Sequence, residues 1–450
     1  MEKISIGKLI EYTNGNLLKG NKDEFITNIV IDSREVNENS LFVPIIGARF
    51  DGHDFMESCY ENGCRSFICD KNHTFLKEDI NLIVVEDTTK AFGDIASGYK
   101  ENLDIPTIAI TGSVGKTSTK DMIYAVLSEK FNTLKTMGNL NNEIGVPKTL
   151  LRLDSSIDNA VVEMGMDRKG QISYLTGLVK PNIGVITNIG MSHIEHFDNQ
   201  DGIFNAKMEI TDSFSSDNIL VVNGDDKYLK TLKEKSLNYK LITCGFEKDN
   251  DIYCEKYNID GINANFTCVY NDEKYDFVMP SPAKHNILNA MFAIAIANIY
   301  DFAEEEIRKG LLNFELSSNR LDIFKTDKYR IINDTYNASF DSMMSALEVL
   351  NNFEGRKVAI LGDIFELGNY SEEIHRKIGK VLNCDLLITI GQEAKYIYEE
   401  AKDRIESLYF LTKEDFYDKI SAILLEGDTI LVKASRGMEL EKVVDYLKEN

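Results

Sequence analysis

The stretch IAITGSVGKTSTK, residues 108–120, decides the fold. An apolar run breaks into a Gly-rich turn and ends in Lys116-Thr117 where a helical pattern begins. Gly112 and Gly115 let the backbone turn its N–H groups inward with no Cβ in the way, and the following helix aims its positive end at the same point. Ser113 and Ser118 complete the cradle. Lys116 reaches the terminal phosphates of a nucleotide, and the Thr117 hydroxyl suits a magnesium ion. The spacing is GxxGK[ST] rather than GxxxxGK[ST], because Ile110 stands where the longer pattern has its first glycine. A surface turn rich in Gly, Ser and Thr is the alternative. Against it, strand (106–111), turn and helix (117–131) follow in the order a nucleotide site requires.

Working outward, 450 residues suggest two to four domains. Hydrophobic residues make up 43% and charged residues 27%, and no run approaches the ~20 apolar residues of a membrane span. The N-terminus has no secretory pattern, so the expectation is a soluble, cytoplasmic protein without stable membrane insertion. A net charge of −23 argues against nucleic acid or an anionic membrane as a general partner. An anionic substrate therefore needs a locally basic pocket. The seven cysteines are scattered; the five-residue spacing of Cys59, Cys64 and Cys69 matches no zinc half-site, and they read as reduced thiols.

Three α/β domains are expected: 1–86, 87–316 and 317–450. The first carries β-type runs (ITNIVIDSR, SLFVPI, SFICD, NLIVVED) around a helix-like DFMESCYENGC. Polar and basic groups at its strand ends, Ser33-Arg34 and Gly47 to His53 with Arg49, Asp51 and Gly52, suit a phosphate or sugar ligand, although turn-forming residues look similar. The second is a mostly parallel sheet around the phosphate loop, with buried strands NAVVEMGM and NIGVITNIG. It also holds a small antiparallel piece at 251–279 with a turn at Asn271-Asp272, and a closing helix over 283–300. After the polar break 316–319 come five strands (RIINDTYN, KVAILGD, DLLITIG, SLYFLT, TILVKAS) alternating with helices, the pattern of an open, Rossmann-like parallel sheet. Ligands should bind at strand ends where the domains face one another.

Candidate chemistry collects at those ends. Glu163 ends a buried strand and His193 lies just past the next, both suited to magnesium beside Lys116 and Thr117. Taken singly, each reads as readily as a structural residue. The helix opening His285-Asn286 repeats an amide at Asn289, and paired amides suit an adenine edge, with helix capping the alternative for Asn286. Arg320 sits in the interdomain break, Asp334-Thr335-Tyr336-Asn337 ends the first strand of the third domain, and Lys433-Ala434-Ser435-Arg436 ends its last.

With these residues assembled, the chain resembles the Mur ligase family over essentially its whole length. Besides TGSVGKTSTK the resemblance rests on GNLNNEIGVP (138–147), EMGMDRKGQI (163–172), TNIGMSHIEHF (187–197), the NAKMEI segment, KHNILNA (284–290), NDTYNASFDSM (333–343), LGDIFELG (361–368), LVKASRGMELE (431–441), IDSR and GARFDGHDF. It implies an ATP- and Mg2+-dependent ligase of peptidoglycan precursor synthesis, acting as a monomer. ATP phosphorylates the carboxylate of a UDP-N-acetylmuramoyl-tripeptide, and D-alanyl-D-alanine attacks the acyl phosphate. It further implies Lys116 and Thr117 at the γ-phosphate and first magnesium, Glu163 at a magnesium, and His193 with Lys207 at a second magnesium, the lysine as a carbamate. Asn286 and Asn289 fall to the adenine, Asp334, Tyr336 and Asn337 to the nucleotide, and Arg320 to its terminal phosphates. Ser33, Arg34 and the 47–53 loop fall to the uridine diphosphate end, Asn142 to the acceptor substrate, and Ser435-Arg436 to the substrate in the third domain.

Two positions depart from the family pattern: Ser339-Phe340 where Asn-Pro is common, and Ala434 where Gly is common. The alternatives are another Mur-type ligase, a folylpolyglutamate synthase, or a scaffold using ATP as a switch. Absence of an Asp-Asn-Pro-Arg run argues against the diaminopimelate-adding enzyme, and the uridine-diphosphate-type domain against the second. His193, Lys207 and the basic third domain argue against the third.

Overall fold

The computed structural model describes residues 1–450 except Ala48, Thr74, Ser317 and Asn450. Ala48 of GARFDGHDF and Ser317 of the polar break thus lie outside the described residues. Three sheets of five, nine and six strands follow one another along the chain, with a two-stranded pair at the N-terminus.

The middle sheet positions the site. Strand Thr107–Thr111 is wholly buried and lies between Asn159–Glu163 and Ile183–Ile186, parallel to both, with Ala109 in register with Val162 and Gly184. The loops after these three strands therefore leave the sheet at one carboxyl edge, where ligands bind in open parallel sheets. They carry the phosphate loop, the segment after Glu163 and the approach to His193. Helix Lys116–Leu127 follows the loop, four residues shorter at its end than the pattern suggested. Strand Ile252–Asp260 joins the same sheet parallel, Asn263–Tyr270 and Glu273–Met279 continue it antiparallel, and the turn falls at Asn271 and Asp272, with φ of 52° and 62°. Two left-handed residues in a row suit the twist of a tight hairpin. Helix Lys284–Ile299, apolar through Met291 to Ala297, is buried against the phosphate-loop helix.

The third sheet orders its strands Asp322–Lys325, Arg330–Asn333, Thr429–Lys433, Lys357–Gly362, Leu386–Ile390 and Glu406–Phe410. The last five are parallel. The first is an antiparallel edge strand that the sequence reading missed, because DIFK is short and only half-buried. Both family departures find a physical place here. Ser339 caps helix Phe340–Asn351, its hydroxyl accepting from the Ser342 N–H at 3.3 Å. Ala434 is buried over Gly362, where an added Cβ would come within 2.7 Å of the alanine methyl.

In the first sheet, Asn16–Lys19 pairs antiparallel with Asn81–Val85, which continues parallel through Ser66–Asp70 and Ser40–Phe42 to Asn28–Val30. Helix Ile6–Thr13 and the pair Ile4–Ser5 with Phe25–Ile26 were not anticipated, being a two-turn helix and two-residue strands. Helix Thr88–Leu103 is wedged between the first two sheets' helices. Its Gly98 meets the Tyr12 ring and its Gly93 the Tyr174 hydroxyl, so neither position has room for a side chain. No helix among the described residues is long and apolar enough to cross a membrane.

Candidate active site

A cavity of about 1050 Å³ opens between the three sheets, lined by Ile45 to Gly47 of the first, the phosphate loop and Glu163 of the second, and Asp334 and Arg436 of the third. Gly112 has a φ of 153° and Gly115 of 86°. A Cβ on Gly112 would strike the Thr187 hydroxyl, which instead donates to the Val114 carbonyl at 2.5 Å. Asn188 Oδ1 accepts the N–H groups of Ser113 and Val114 at 3.0 and 2.9 Å. The neighbouring strand's loop thus props the phosphate loop open, leaving Gly115, Lys116, Thr117 and Ser118 on the cavity wall. Lys116 Nζ is folded back onto the Gly112 carbonyl at 2.7 Å. Burial draws its pKa below the usual lysine range, with Glu163 opposing and Arg320 reinforcing.

Glu163 is 2% exposed and accepts from Thr117 Oγ1 at 3.0 Å and Asn141 Nδ2 at 2.9 Å, with Lys120 Nζ at 4.0 Å. A hydroxyl and a carboxylate meeting at the foot of the loop form the oxygen donor set a hard cation prefers, so this corner fits magnesium. His193 lies across the cavity in a left-handed conformation, φ 62°, with Nδ1 2.6 Å from Glu366 Oε2 of the third sheet. That carboxylate lies off the hydrogen-bonding line of the ring N–H. Lys207 is 3% exposed, and its amine is held well below its usual pKa by burial and then by the Lys116 charge. It does not pair with Glu209, which accepts from the Gly170 and Ser173 N–H groups. A buried amine whose pKa is lowered and that meets no acid fits carbamate formation better than an ion pair.

The third sheet's wall is basic. Lys433, 1% exposed, donates to Asp334 Oδ2 at 2.5 Å and to the Asn337 carbonyl at 2.9 Å. The Arg320 guanidinium stacks on Tyr336 at 3.9 Å, and Ser435 Oγ accepts from the Phe365 N–H at 2.9 Å. Arg436 borders the cavity and pairs with Glu441 at 3.1 Å. Asn286 also borders it. Asn289, by contrast, is buried beneath Gly115 and bonded to Thr119 Oγ1 at 3.0 Å and to Asn286 Oδ1 at 2.8 Å. Its amide supports Asn286 and the loop rather than facing the adenine. Asn286 is not the helix cap, since the helix begins at Lys284 after Ala283. Asn142 lines the cavity, its Oδ1 accepting from the Gly145 N–H at 2.9 Å.

Of the uridine-end residues, Gly47 reaches this cavity. Ser33 and Arg34 form a short turn whose guanidinium is tied to Asp32 at 2.5 Å. Arg49 is exposed, and Gly52 packs against the Ile45 backbone with no room for a Cβ. Asp51, His53 and His73 cluster, with Asp51 Oδ1 2.7 Å from His53 Nδ1. They are a poor metal site, because the imidazoles stack at 3.8 Å with planes 8° apart. One ion cannot lie in both ring planes, where the nitrogen lone pairs point. The Asp70 N–H also donates to His53 Nε2 at 3.3 Å, so this histidine braces the loop.

The sequence reading quoted His285, Lys433 and Asn141 within motifs but gave them no task. His285 borders the cavity between Asp334 and Lys433, and burial lowers its pKa to about 4, Asp334 opposing and Lys433 reinforcing. It is neutral at physiological pH. Asn188 and Glu366 too had no signal beyond motif membership.

A Gly-rich phosphate loop on a parallel sheet, an acid at its foot and a third sheet presenting cations define a nucleotide-dependent phosphoryl-transfer enzyme by class. Comparison with known proteins carries this further. Residues 25–100 match the Mur ligase family catalytic domain, 110–297 the Mur ligase middle domain, and 319–436 the Mur ligase glutamate ligase domain. The UDP-N-acetylmuramoyl-tripeptide–D-alanyl-D-alanine ligase of Bacillus subtilis is 36% identical, covering 100% of this chain and 99% of its own. A crystal structure of MurF from Acinetobacter baumannii superposes with a TM-score of 0.93 at 30% identity, covering 100% of both chains. MurF of Thermotoga maritima in complex with ADP gives 0.84 at 26%, covering 94% of this chain and 97% of that one. The chain belongs to the Mur ligase family.

Proposed function

We propose that this protein is the ATP-dependent ligase that joins D-alanyl-D-alanine to UDP-N-acetylmuramoyl-tripeptide through an acyl phosphate, in the cytoplasm. The observation that carries the reading is one cavity walled by loops of all three sheets, with Lys116, Glu163 and Thr117 on one side and Asp334, Lys433 and Arg436 on the other. Full-length similarity to curated ligases of this name supports it. The three sheets correspond to domains 1–86, 87–316 and 317–450.

The mechanism follows from placement. A carboxylate is a poor electrophile, and phosphorylation gives it a leaving group. The loop amides and Lys116 hold the β- and γ-phosphates, and the Lys116 ammonium leaves the loop carbonyls for them. Magnesium, held by Thr117 with Glu163 and by His193 with carbamylated Lys207, would neutralise phosphate charge. Arg320 offsets what remains on the terminal phosphates, and Asp334 and Asn286 orient the nucleoside. Gly47 and the first domain hold the uridine end, Asn142 the peptide, and Ser435-Arg436 the incoming dipeptide. Most of the acceleration is positioning and charge neutralisation.

The test is phosphate release from ATP and magnesium, with UDP-muramoyl peptides crossed against amines and products read by mass spectrometry. Release requiring both the tripeptide and D-alanyl-D-alanine is the expected result. Turnover with another amine, or with a folate, would replace this reading.

A further inference from the structure

His193 projects from the loop after strand Ile183–Ile186, and Glu366 from the loop after strand Lys357–Gly362, so their contact at 2.6 Å joins the second sheet to the third. Both residues hold left-handed backbones, φ 62° and 61°, which L-residues adopt only when their surroundings require it. The loops are packed closely beside the contact. Gly368 is left-handed at 51°, and an added Cβ would lie 3.1 Å from the Glu195 side chain. Asp341 of the third sheet's first helix abuts Gly190 at the base of the histidine loop.

We propose that Glu366 is a positioning residue that orients the His193 ring for a divalent cation from across the domain boundary, so that the cation site is complete only when the third domain is closed. The carboxylate charge 2.6 Å from Nδ1, although off the hydrogen-bonding line, favours the proton on that nitrogen electrostatically and leaves the Nε2 lone pair for the ion. Opening the third domain removes the carboxylate and frees the ring. By linkage, whatever closure adds to cation affinity, the cation returns to closure. The inference rests on the ligase reading, in which His193 faces a metal, and adds a residue from another domain to that task.

The experiment uses the full chain with a non-hydrolysable ATP analogue and Mn2+ as probe, without tripeptide or dipeptide, so its failure is distinct from failure of the substrate assignment. Mn2+ binding is read by electron paramagnetic resonance and compaction by small-angle scattering. Wild type should bind two ions, the second accompanied by compaction. In Glu366→Gln the second ion should weaken about 10- to 100-fold and the compaction should be lost, while the first stays within about twofold. Glu195→Gln, the neighbouring carboxylate, should behave as wild type. If Glu366→Gln does not fold, Glu366→Asp, which keeps the charge one carbon short, takes its place with a smaller loss. A wild-type second site and full compaction in the glutamine variant would overturn the proposal, as would a wild type that binds one ion only.

Discussion

Replacing Lys207 by methionine should abolish ligation and yet make the protein more stable at neutral pH. The side chain is 3% exposed, and its amine meets the Lys116 charge rather than an acid. In the unfolded chain the amine titrates at the ordinary 10.5. Burial lowers that pKa in the fold, and the cost at pH 7 is bounded at about 5 kcal/mol, the span from 10.5 down to 7 at ~1.4 kcal/mol per pH unit. Methionine fills the same space without that cost, so Lys207→Met should gain up to about 5 kcal/mol. Between the lowered folded-state pKa and the ordinary lysine value the unfolded state binds more of the proton than the folded state does. Wild-type stability therefore rises with pH through that window, and the variant's advantage shrinks as it does.

Urea unfolding at pH 7 to 10 in buffers stripped of carbon dioxide reads this directly. Added bicarbonate should narrow the gap at neutral pH, because a carbamate on wild-type Lys207 presents an anion to Lys116 where the ammonium would have been repelled. Activity should fall reversibly without carbon dioxide. Acetate should partly rescue Lys207→Ala, while Lys207→Arg stays inactive. A methionine variant less stable than wild type at pH 7, or a gap the same at pH 7 and pH 10, would refute the argument from a buried amine with a lowered pKa.

Lys116→Ala should abolish phosphoryl transfer while UDP-substrate affinity, by calorimetry, stays within about twofold, since the lysine serves only the phosphates. Lys433→Met strips Asp334 of its counter-ion and should destabilise by about 3–5 kcal/mol with loss of nucleotide affinity, measured by urea unfolding and ADP titration. His285 is carried neutral in the fold, with its pKa near 4 against an ordinary 6.5, so the unfolded state gains the proton first as pH falls. Stability should drop by up to about 3 kcal/mol between pH 6.5 and 4 in wild type, and by less in His285→Gln, followed by thermal unfolding across that range.

What could be read from the sequence was what local chemistry fixes. The phosphate loop was legible because glycine at φ 86°, a lysine one residue on and a buried strand before it leave few other uses for the pattern. Parallel strands announced themselves as continuous apolar runs, as they must when both faces are covered. The edge strand Asp322–Lys325 did not, because an edge needs neither length nor a fully apolar face. In the site, the chain could show that Glu163 ends one buried strand and His193 follows the next along the chain, but not that Asn141 would steady the one and Glu366 reach the other. Those partners lie 22 and 173 positions away, a separation no periodicity records. Asn289 shows the converse limit. Its spacing from Asn286 placed both on one helix face, yet a face 3.6 residues around is wide enough that one amide borders the cavity while the other packs beneath the loop. Spacing on an element says which residues are neighbours. Which of them the ligand meets depends on the element packed against it, here the phosphate-loop helix that takes Asn289 for its own Thr119.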